Sequence, residues 1–433
     1  MKHPTLQVDH IERLYIRLLK AQGPCIDSRS LKPGQVFFAL PGSKTDGHQF
    51  LEEVQRAGAA FAVVSADREL PPLGGFLEPV PDVLGALQAL AARHRTTLNA
   101  RVLGLTGSNG KTTTKDLLGA ALSTRFHTFV TPGNLNNHIG LPLCVLQIEK
   151  DVECVVLELG DNRPGDIAEL CSIAQPTAGL ITNIGQDHLE GYGSLESNAH
   201  TKLELFNYVN QTNGMIFRNG SDPWLADFPS KDTIEYGLPE SALWAEVLSS
   251  KPGQLAVRLY TPTGAFQINS QFTGTYNAEN LVAAATVALQ WGVPVADLVR
   301  TFEGFVPHNQ RSQLIELPGR RIIADCYNAN PSSMRAALTS LMASQPDSLA
   351  LFVGEMRELG DKSEELHREL APLVRELEPA VVVGVGRGVL PLLEALTGIN
   401  CHYYATAEDA AEDAHDLIQG CTLVFVKGSR SVR

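Results

Sequence analysis

A glycine-rich segment, TGSNGKTT at residues 106–113, has the residue types and spacing that bind nucleotide phosphates. Glycines let backbone N–H groups crowd around phosphate oxygens, and a helix that follows adds its N-terminal dipole. Lys111 would reach the β- and γ-phosphates, and the Thr112 hydroxyl would bind Mg²⁺. The residues predicted to contact the nucleotide are Gly107, Ser108, Asn109, Gly110, Lys111, Thr112 and Thr113.

The segment departs from the strict GxxxxGK[ST] form, because Leu105 stands where that motif has its first glycine. The alternative interpretation is a tight strand-to-helix turn that binds no ligand. The apolar run before the segment and the helical pattern after it favour a phosphate loop.

Three more side chains are candidates for chemistry. Glu158 ends an apolar run, and His188 lies just beyond the next predicted strand. Ligands of open α/β sheets bind at the carboxyl ends of strands, so we expect Glu158 to hold Mg²⁺ and His188 to lie beside it. A solvated strand-end charge and a structural histidine are the alternatives. Lys202, on a helix predicted over 198–208, is interpreted from the pattern alone as a surface lysine.

The elements that would position these residues predict an α/β protein of two or three domains. A chain of 433 residues is too long for one hydrophobic core. In the first hundred residues the pattern predicts strands at 36–40 and 61–64 and a helix at 51–60. Further on, helices alternate with near-continuous apolar runs, which are typical of a parallel sheet covered on both faces. Those strands are predicted at 102–106, 154–159 and 178–182, with a closing helix at 278–291.

A domain boundary is predicted near Pro307. Beyond it a second doubly wound α/β unit is expected, with strands at 322–324, 349–353, 380–385 and 423–426. Asn330 and Pro331 have the residue types that cap and begin a helix. The glycine cluster at 384–388 lacks the GxGxxG spacing and is interpreted as a strand-exit turn.

Composition argues against several other classes of protein. Net charge is −13 and no basic run occurs, so we expect no nucleic-acid partner. No apolar stretch approaches the roughly 20 residues of a membrane span, and residues 1–20 lack a signal-peptide core. Seven cysteines without a CxxC pair predict free thiols in a reducing cytoplasm, rather than disulfides or zinc.

These motifs together resemble the Mur ligases, a family that uses ATP to add amino acids to a UDP-linked muramoyl peptide. The loop is similar to the family's TGxxGKT[ST] form. The runs ITNIGQDHLEGYGS at 181–194 and TKLE at 201–204 resemble its metal-binding histidine and its carbamylated lysine. The resemblance implies that His188 and carbamylated Lys202 bind Mg²⁺.

Three stretches are similar to the family member that joins D-alanyl-D-alanine to UDP-N-acetylmuramoyl-tripeptide: 131–140, 325–334 and 354–360. The runs Asp27–Arg29 and Asp46–His48 resemble a UDP-sugar module shared with a sister member, whose DNPR motif is absent here. Two departures occur. Gln310 replaces the usual glycine before Arg311, and the chain stops at 428–433 where relatives continue into a helix, so a shortened C-terminus is expected.

The resemblance implies three domains: a UDP-sugar-binding domain at 1–100, a central ATP-binding P-loop domain at 101–307, and a Rossmann-like domain at 308–433 that binds the incoming dipeptide. It implies ATP, Mg²⁺ and carbamylated Lys202 as cofactors, and UDP-MurNAc-tripeptide and D-Ala-D-Ala as partners. We expect a monomer.

The resemblance also implies roles for single residues. The catalytic residues would be Lys111, His188 and Lys202. The metal ligands would be Thr112, Glu158, His188 and Lys202. ATP would also be contacted by Asn280, Arg311 and Asp325. The substrates would be contacted by Ser28, Arg29, Asp46, His48, Asn134, Asn137 and Asn328.

Other functions stay open at this point: another Mur-type or folylpolyglutamate-type amide ligase, a P-loop phosphotransferase, or a nucleotide-gated binding module. No single predicted domain holds a complete site. Because an acyl phosphate exposed to water would hydrolyse, we expect the third domain to close over the middle one, with a hinge at 306–310.

Overall fold

A computed structural model of the protein describes residues 8–42, 45–308, 310–344 and 347–429. Asn309, inside the predicted hinge, and the last four residues, 430–433, lie outside the described residues. The chain forms two compact units. The first comprises the residues up to Gly104 with Phe126–Asp161 and Gly165–Ala178. The second comprises Leu105–Arg125, Asn162–Pro164 and the chain from Gly179 onward.

A four-stranded parallel sheet organises the first hundred residues, in the strand order β1-β2-β3-β4. Alternate residues of the run at 36–39 face opposite sides: Val36 and Phe38 enter one apolar cluster, and Phe37 and Ala39 enter another. The run is apolar throughout because both faces are covered. The elements are α1 (Val8–Leu18), β1 (Pro24–Cys25), β2 (Val36–Phe38), α2 (Leu51–Arg56), β3 (Phe61–Ser65), β4 (Leu77–Val80) and α3 (Val83–Arg95).

A six-stranded sheet follows, in the order β10-β9-β8-β5-β7-β6. Its strands are β5 (Arg101–Thr106), β6 (Thr128–Val130), β7 (Cys154–Glu158), β8 (Ala178–Ile181), β9 (Met215–Asn219) and β10 (Thr233–Tyr236). The helices are α4 (Lys111–Leu122), α5 (Gly140–Val145), α6 (Asp166–Ala174), α7 (Leu189–Tyr192), α8 (Leu195–Gln211), α9 (Asn277–Gln290) and α10 (Val295–Gly304). The three strands and two helices predicted here are confirmed to within a few residues at their ends.

A three-stranded antiparallel sheet between β10 and α9 was not predicted. It comprises β11 (Trp244–Lys251), β12 (Gln254–Thr261) and β13 (Gly264–Ser270). On β12, Leu255, Val257 and Leu259 are buried and alternate with more exposed residues. That period of two is present in the sequence, and Pro252-Gly253 marks the turn before it.

The last segment contains a six-stranded sheet in the order β14-β15-β19-β16-β17-β18, parallel except for the edge strand β14. Apolar clusters cover both faces, which confirms the predicted doubly wound unit. Its strands are β14 (Gln313–Leu317), β15 (Arg320–Asp325), β16 (Leu349–Gly354), β17 (Val381–Val385), β18 (Cys401–Tyr404) and β19 (Leu423–Lys427). Its helices are α11 (Pro331–Ser344), α12 (Ser363–Arg368), α13 (Ala371–Glu376), α14 (Leu390–Ala395) and α15 (Ala407–Leu417).

The glycine cluster after β17 is a strand-exit turn, as predicted, and continues into a short 3₁₀ turn at Arg387–Val389. None of the helices within the described part of the chain is long and apolar enough to cross a membrane.

Candidate active site

The predicted phosphate loop connects β5 to α4. Gly110 caps α4 with a φ of 80°, in the left-handed region that favours glycine. A Cβ atom there would collide with Oδ1 of Asn280, and one on Gly107 would collide with the Thr182 hydroxyl. Both glycines are therefore required by close neighbours as well as by the backbone.

The end of β8 holds the loop through hydrogen bonds. The Ser108 amide donates to the Asn183 carbonyl at 2.9 Å, and the Asn109 amide donates to Oδ1 of Asn183 at 3.0 Å. The Lys111 ammonium turns back and donates to the Gly107 carbonyl. The positive charge of Lys111 thus stays at the loop, where a phosphate chain would lie.

Asp187, which the sequence analysis gave no role, lies beneath the loop and is 2 % exposed. Its Oδ1 accepts hydrogen bonds from the Ser108 hydroxyl at 2.5 Å and from the Asn198 amide at 2.6 Å. Its Oδ2 accepts no hydrogen bond from the residues that the structure describes, and it lies 3.4 Å from the ammonium of Lys202. Burial raises the pKa of Asp187, but the charges of Lys202 and Lys111 outweigh burial and hold that pKa below its usual range.

Lys202 is fully buried, so its interpretation as a surface lysine is wrong. Its ammonium donates to Oδ1 of Asn198, one turn earlier on α8, and lies 5.3 Å from the ring centroid of Tyr192. A buried ammonium requires an anion and hydrogen-bond acceptors, and Asp187 and Asn198 supply them.

His188 contacts a carboxylate from a distant part of the chain. Its Nδ1 is paired with Oε2 of Glu358, and its Nε2 lies 4.0 Å from Oδ2 of Asp187. The hydrogen bond from His188 lowers the pKa of Glu358. His188 and Glu358 both have positive φ, 50° and 62°, a conformation that non-glycine residues adopt only where the surroundings hold them.

The N-terminus of α11 also lies at the loop. Asn330 caps this helix by accepting from the Ser333 amide at 2.8 Å, and Pro331 is its first residue, as predicted. The Asn330 amide donates to Oδ1 of Asn109 at 2.9 Å, and Ser332 accepts from the Gln186 amide at 2.9 Å. Two helix N-termini, those of α4 and α11, therefore meet around Asn109.

Asp325 and Arg311 lie in a second polar cluster. Lys427, 3 % exposed, donates to Oδ2 of Asp325 at 2.6 Å, and the backbone carbonyl of Asn328 lies 3.4 Å from the same ammonium. The Arg311 guanidinium lies 3.7 Å from the ring centroid of Tyr327. Asn280, the other predicted ATP contact, packs against the phosphate loop, where its Oδ1 accepts from Thr114 at 3.3 Å.

Other predicted site residues belong to the first unit, and the structure shows local partners for most of them. Glu158 is 2 % exposed rather than solvated, and it accepts from the Asn136 amide at 2.8 Å. Asn137 accepts from the backbone amide of Gly140, the first residue of α5, at 2.8 Å. Asn134 is exposed in the same loop.

The two runs compared with a UDP-sugar module are capped turns. Arg29 makes a two-point ion pair with Asp27, at 2.9 and 2.7 Å, which lowers the pKa of Asp27 to about 2. Ser28 begins the short 3₁₀ turn that Asp27 caps. His48 pairs with Asp46 through Nδ1 at 2.7 Å and accepts the Ser65 amide on Nε2 at 2.9 Å.

Comparison with known proteins assigns these features to one family. The sequence matches three family models: "Mur ligase family, catalytic domain" at 21–97, "Mur ligase middle domain" at 105–288 and "Mur ligase, glutamate ligase domain" at 310–430. The UDP-N-acetylmuramoyl-tripeptide–D-alanyl-D-alanine ligase of Bacillus subtilis is 36% identical over 358 residues, which are 81% of this chain and 77% of the relative.

Solved structures agree with the sequence matches. MurF from Acinetobacter baumannii superimposes with a TM-score of 0.87 at 29% identity, covering 100% of this chain and 98% of the other. MurF ligase from Thermotoga maritima, solved in complex with ADP, gives 0.85 at 29% identity and covers 96% of both chains. The architecture is therefore that of a three-domain Mur ligase.

Replacing Gly110 by Ala tests the geometry of the loop. The new methyl group would meet Asn280, and the left-handed backbone would cost roughly 1–2 kcal/mol. We expect nucleotide affinity, measured by calorimetry with an ATP analogue, to fall at least about tenfold, which is 1.4 kcal/mol. Gly165→Ala is the matched control, because Gly165 also caps a helix with positive φ but meets open space among the described residues. Equal affinities in both variants would contradict the loop assignment.

Proposed function

Because the chain belongs to the Mur ligase family, we infer that it is the ATP-dependent ligase that joins D-alanyl-D-alanine to UDP-N-acetylmuramoyl-tripeptide. The products are UDP-N-acetylmuramoyl-pentapeptide, ADP and phosphate. The observation that carries this proposal is the hydrogen bond of Asn109, in the phosphate loop, to Asn330, at the start of α11. It brings a phosphate-binding element and the last α/β unit to one place, as a two-substrate ligation requires.

The reaction has two steps. The terminal carboxylate of the tripeptide attacks the γ-phosphorus of ATP, which breaks the bond to ADP and forms an acyl phosphate. The free amine of D-Ala-D-Ala then attacks the acyl carbon, and phosphate leaves from a tetrahedral intermediate. Negative charge is spread over the phosphoryl oxygens in the first step and develops on the former carbonyl oxygen in the second, where the amine nitrogen also loses a proton. Nearby cations and N–H donors therefore lower both barriers.

We assign that stabilisation to the loop and its neighbours. Lys111 and the backbone amides of residues 107–113 would bind the phosphate chain, and Thr112 would face its metal ion. The second helix N-terminus, that of α11, would add its positive dipole end and the Ser332 amide, since Pro331 has no N–H and the Ser333 amide already donates to Asn330. Asn280, Arg311 and Asp325 are assigned to the nucleoside side, where Tyr276 connects α9 to Ser312 through a hydrogen bond of 2.6 Å.

A divalent cation fits the residues present. Oδ2 of Asp187 is a buried oxygen that accepts no hydrogen bond within the described part of the chain. The Lys202 ammonium lies 3.4 Å from it, and carbamylation would replace that positive charge by oxygen atoms. The donors would then be oxygen and imidazole groups, which suit Mg²⁺ or Mn²⁺. We assign Thr112 and Glu158 as ligands of one Mg²⁺, and His188 and carbamylated Lys202 as ligands of a second. When bound, Mg²⁺ would neutralise charge on the phosphate oxygens.

The carbamate on Lys202 is part of the same proposal. Its support is the burial of Lys202, since a lysine without solvent contact has no ordinary surface role. Addition of CO₂ would exchange the cation beside Asp187 for an anion. Two neighbouring buried anions then require a cation between them, which would couple carbamylation to metal binding.

We place the UDP-sugar substrate at residues 1–100, where Ser28, Arg29, Asp46 and His48 lie, together with Asn134 and Asn137. The dipeptide is assigned to residues 308–433, with Asn328 as one contact. We further propose a monomer that acts in the cytoplasm without nucleic-acid partners. The cytoplasmic assignment is supported by the seven free cysteines, which suit a reducing compartment.

Phosphate release should require UDP-N-acetylmuramoyl-tripeptide and D-Ala-D-Ala together. Either substrate alone lacks one of the two reacting groups, so the acyl phosphate would form without an acceptor or not form. A phosphate-release assay measures the requirement for both substrates, and mass spectrometry identifies the product. Equal turnover with UDP-muramoyl-dipeptide and a single amino acid would move the assignment to the sister enzyme, and a phosphoester product would indicate a phosphotransferase.

Lys111→Ala should lower kcat about 10²–10³-fold, because a donor that stabilises developing charge has roughly that effect. Steady-state kinetics with saturating ATP measure the loss. Lys231→Ala, at an exposed lysine, is the matched control and should leave kcat unchanged. A loss below tenfold at Lys111 would show that this loop is not the catalytic one.

Lys202→Ala should be nearly inactive, and small carboxylates such as acetate or formate should restore part of the activity by refilling the anionic position. Native mass spectrometry of the unmodified enzyme should show an added CO₂ that disappears in CO₂-free buffer. Full activity of the Ala variant would remove Lys202 from the mechanism. Inactivity without rescue and without added mass would leave it as a structural ammonium partner of Asp187.

A further inference from the structure

Glu358 reaches His188 from the region that we assign to the C-terminal domain, whereas His188 follows β8 of the central domain. The pair of Oε2 of Glu358 with Nδ1 of His188 joins residues far apart in the sequence. The Glu190 amide also donates to the backbone carbonyl of Glu358 at 2.9 Å. Leu189 packs in the same apolar cluster as Met356 and Leu359. Side chains and backbone of both segments therefore build this contact.

The contact fixes how His188 presents its ring. In the neutral ring, a carboxylate beside Nδ1 favours the tautomer with the proton on that nitrogen, which leaves the Nε2 lone pair for a cation. Oδ2 of Asp187 lies 4.0 Å from Nε2, and it accepts no hydrogen bond from any described residue. The Lys202 ammonium lies 3.4 Å from the same oxygen. Once that ammonium is carbamylated, as proposed above, Oδ2 and Nε2 are two electron-pair donors that a divalent cation would bring together.

We propose that Glu358 is a positioning residue that orients His188 for cation binding, so that the cation site reaches full affinity only when the C-terminal domain is closed. This inference rests on the proposed function, because it deepens the assignment of His188 as a metal ligand. The new element is that the C-terminal domain, to which dipeptide binding is assigned, would complete a metal site whose ligands belong to the central domain. Closure would then link binding of the dipeptide to completion of the cation site.

The effect of Glu358 on metal affinity can be measured separately from its effect on the stability of the fold. The Glu358 side chain is 55% exposed, and ion pairs with exposed partners stabilise a fold very little. Substitution of Glu358 should therefore leave the protein folded. Hydrogen-bond partners of metal-binding histidines, in contrast, typically change metal affinity about 10–100-fold when they are replaced.

The experiment measures Mn²⁺ affinity by electron paramagnetic resonance, with the full-length enzyme and a non-hydrolysable ATP analogue present. Glu358→Ala should weaken Mn²⁺ binding about 10–100-fold, and activity should recover when Mg²⁺ is raised. Glu358→Gln should lose less, because its amide oxygen still accepts the Nδ1 proton. Glu364→Ala is the matched control: it removes an exposed carboxylate paired with Arg368 in the same region, and it should bind Mn²⁺ as the unmodified enzyme does.

The outcomes distinguish this proposal from the one on which it rests. If His188→Ala loses Mn²⁺ but Glu358→Ala does not, His188 is a ligand and the positioning role of Glu358 is wrong. If neither variant changes Mn²⁺ affinity, the metal assignment of His188 itself fails. Circular dichroism checks that each variant is folded. If Glu358→Ala is unfolded, Glu358→Gln is used for the comparison instead. An affinity of Glu358→Gln below that of Glu364→Ala then supports the positioning role, and an affinity equal to that of Glu364→Ala overturns it.

Discussion

The carboxylate of Asp187 is withdrawn from water at the centre of the candidate site, and a buried anion is tolerated only where cations and donors surround it. That requirement organises the site. Ser108 of the loop and Asn198 of α8 donate to one oxygen, and Lys202 faces the other. The loop, the end of β8 and helix α8 are therefore held around one charge, and changing any of these groups changes the environment of the others.

Much of this arrangement could be predicted because it depends on local sequence. The strands that position the loop are apolar runs of ordinary length, and the loop needs glycine where the backbone turns. Asn330 and Pro331 were predicted as a helix start from residue type alone, and the structure has Asn330 capping α11. The spacing of residues predicts a phosphate loop but not its substrates, and the resemblance to the family identifies those substrates.

What could not be predicted depends on contacts between distant residues. Lys202 lies on a helix with polar residues on several sides, so its pattern gave no sign that α8 would bury it against Asp187. Glu158 ends a buried strand, and the structure shows that its carboxylate is withdrawn from water and accepts a hydrogen bond from Asn136. Glu358 and His188 are far apart in sequence, and no periodicity relates them. The antiparallel sheet from β11 to β13 differs, because the alternation of Leu255, Val257 and Leu259 is present in the sequence and local spacing is enough to predict a strand there.

The division of the site between two parts of the chain follows from the chemistry of the proposed reaction. An acyl phosphate must be kept from water until the amine arrives, and a site contained in one rigid domain would have no way to admit a large substrate and then exclude solvent. With one helix N-terminus contributed by each part of the chain, the proposed closure would let the two substrates bind before the site is complete. In the proposed closure, the hydrogen bond between Asn109 and Asn330 and the pair formed by His188 and Glu358 would both form as the domains come together. The groups that would change partners on closure therefore include the loop and the histidine to which the chemistry is assigned, and a ligand that binds the closed arrangement more tightly would favour both contacts.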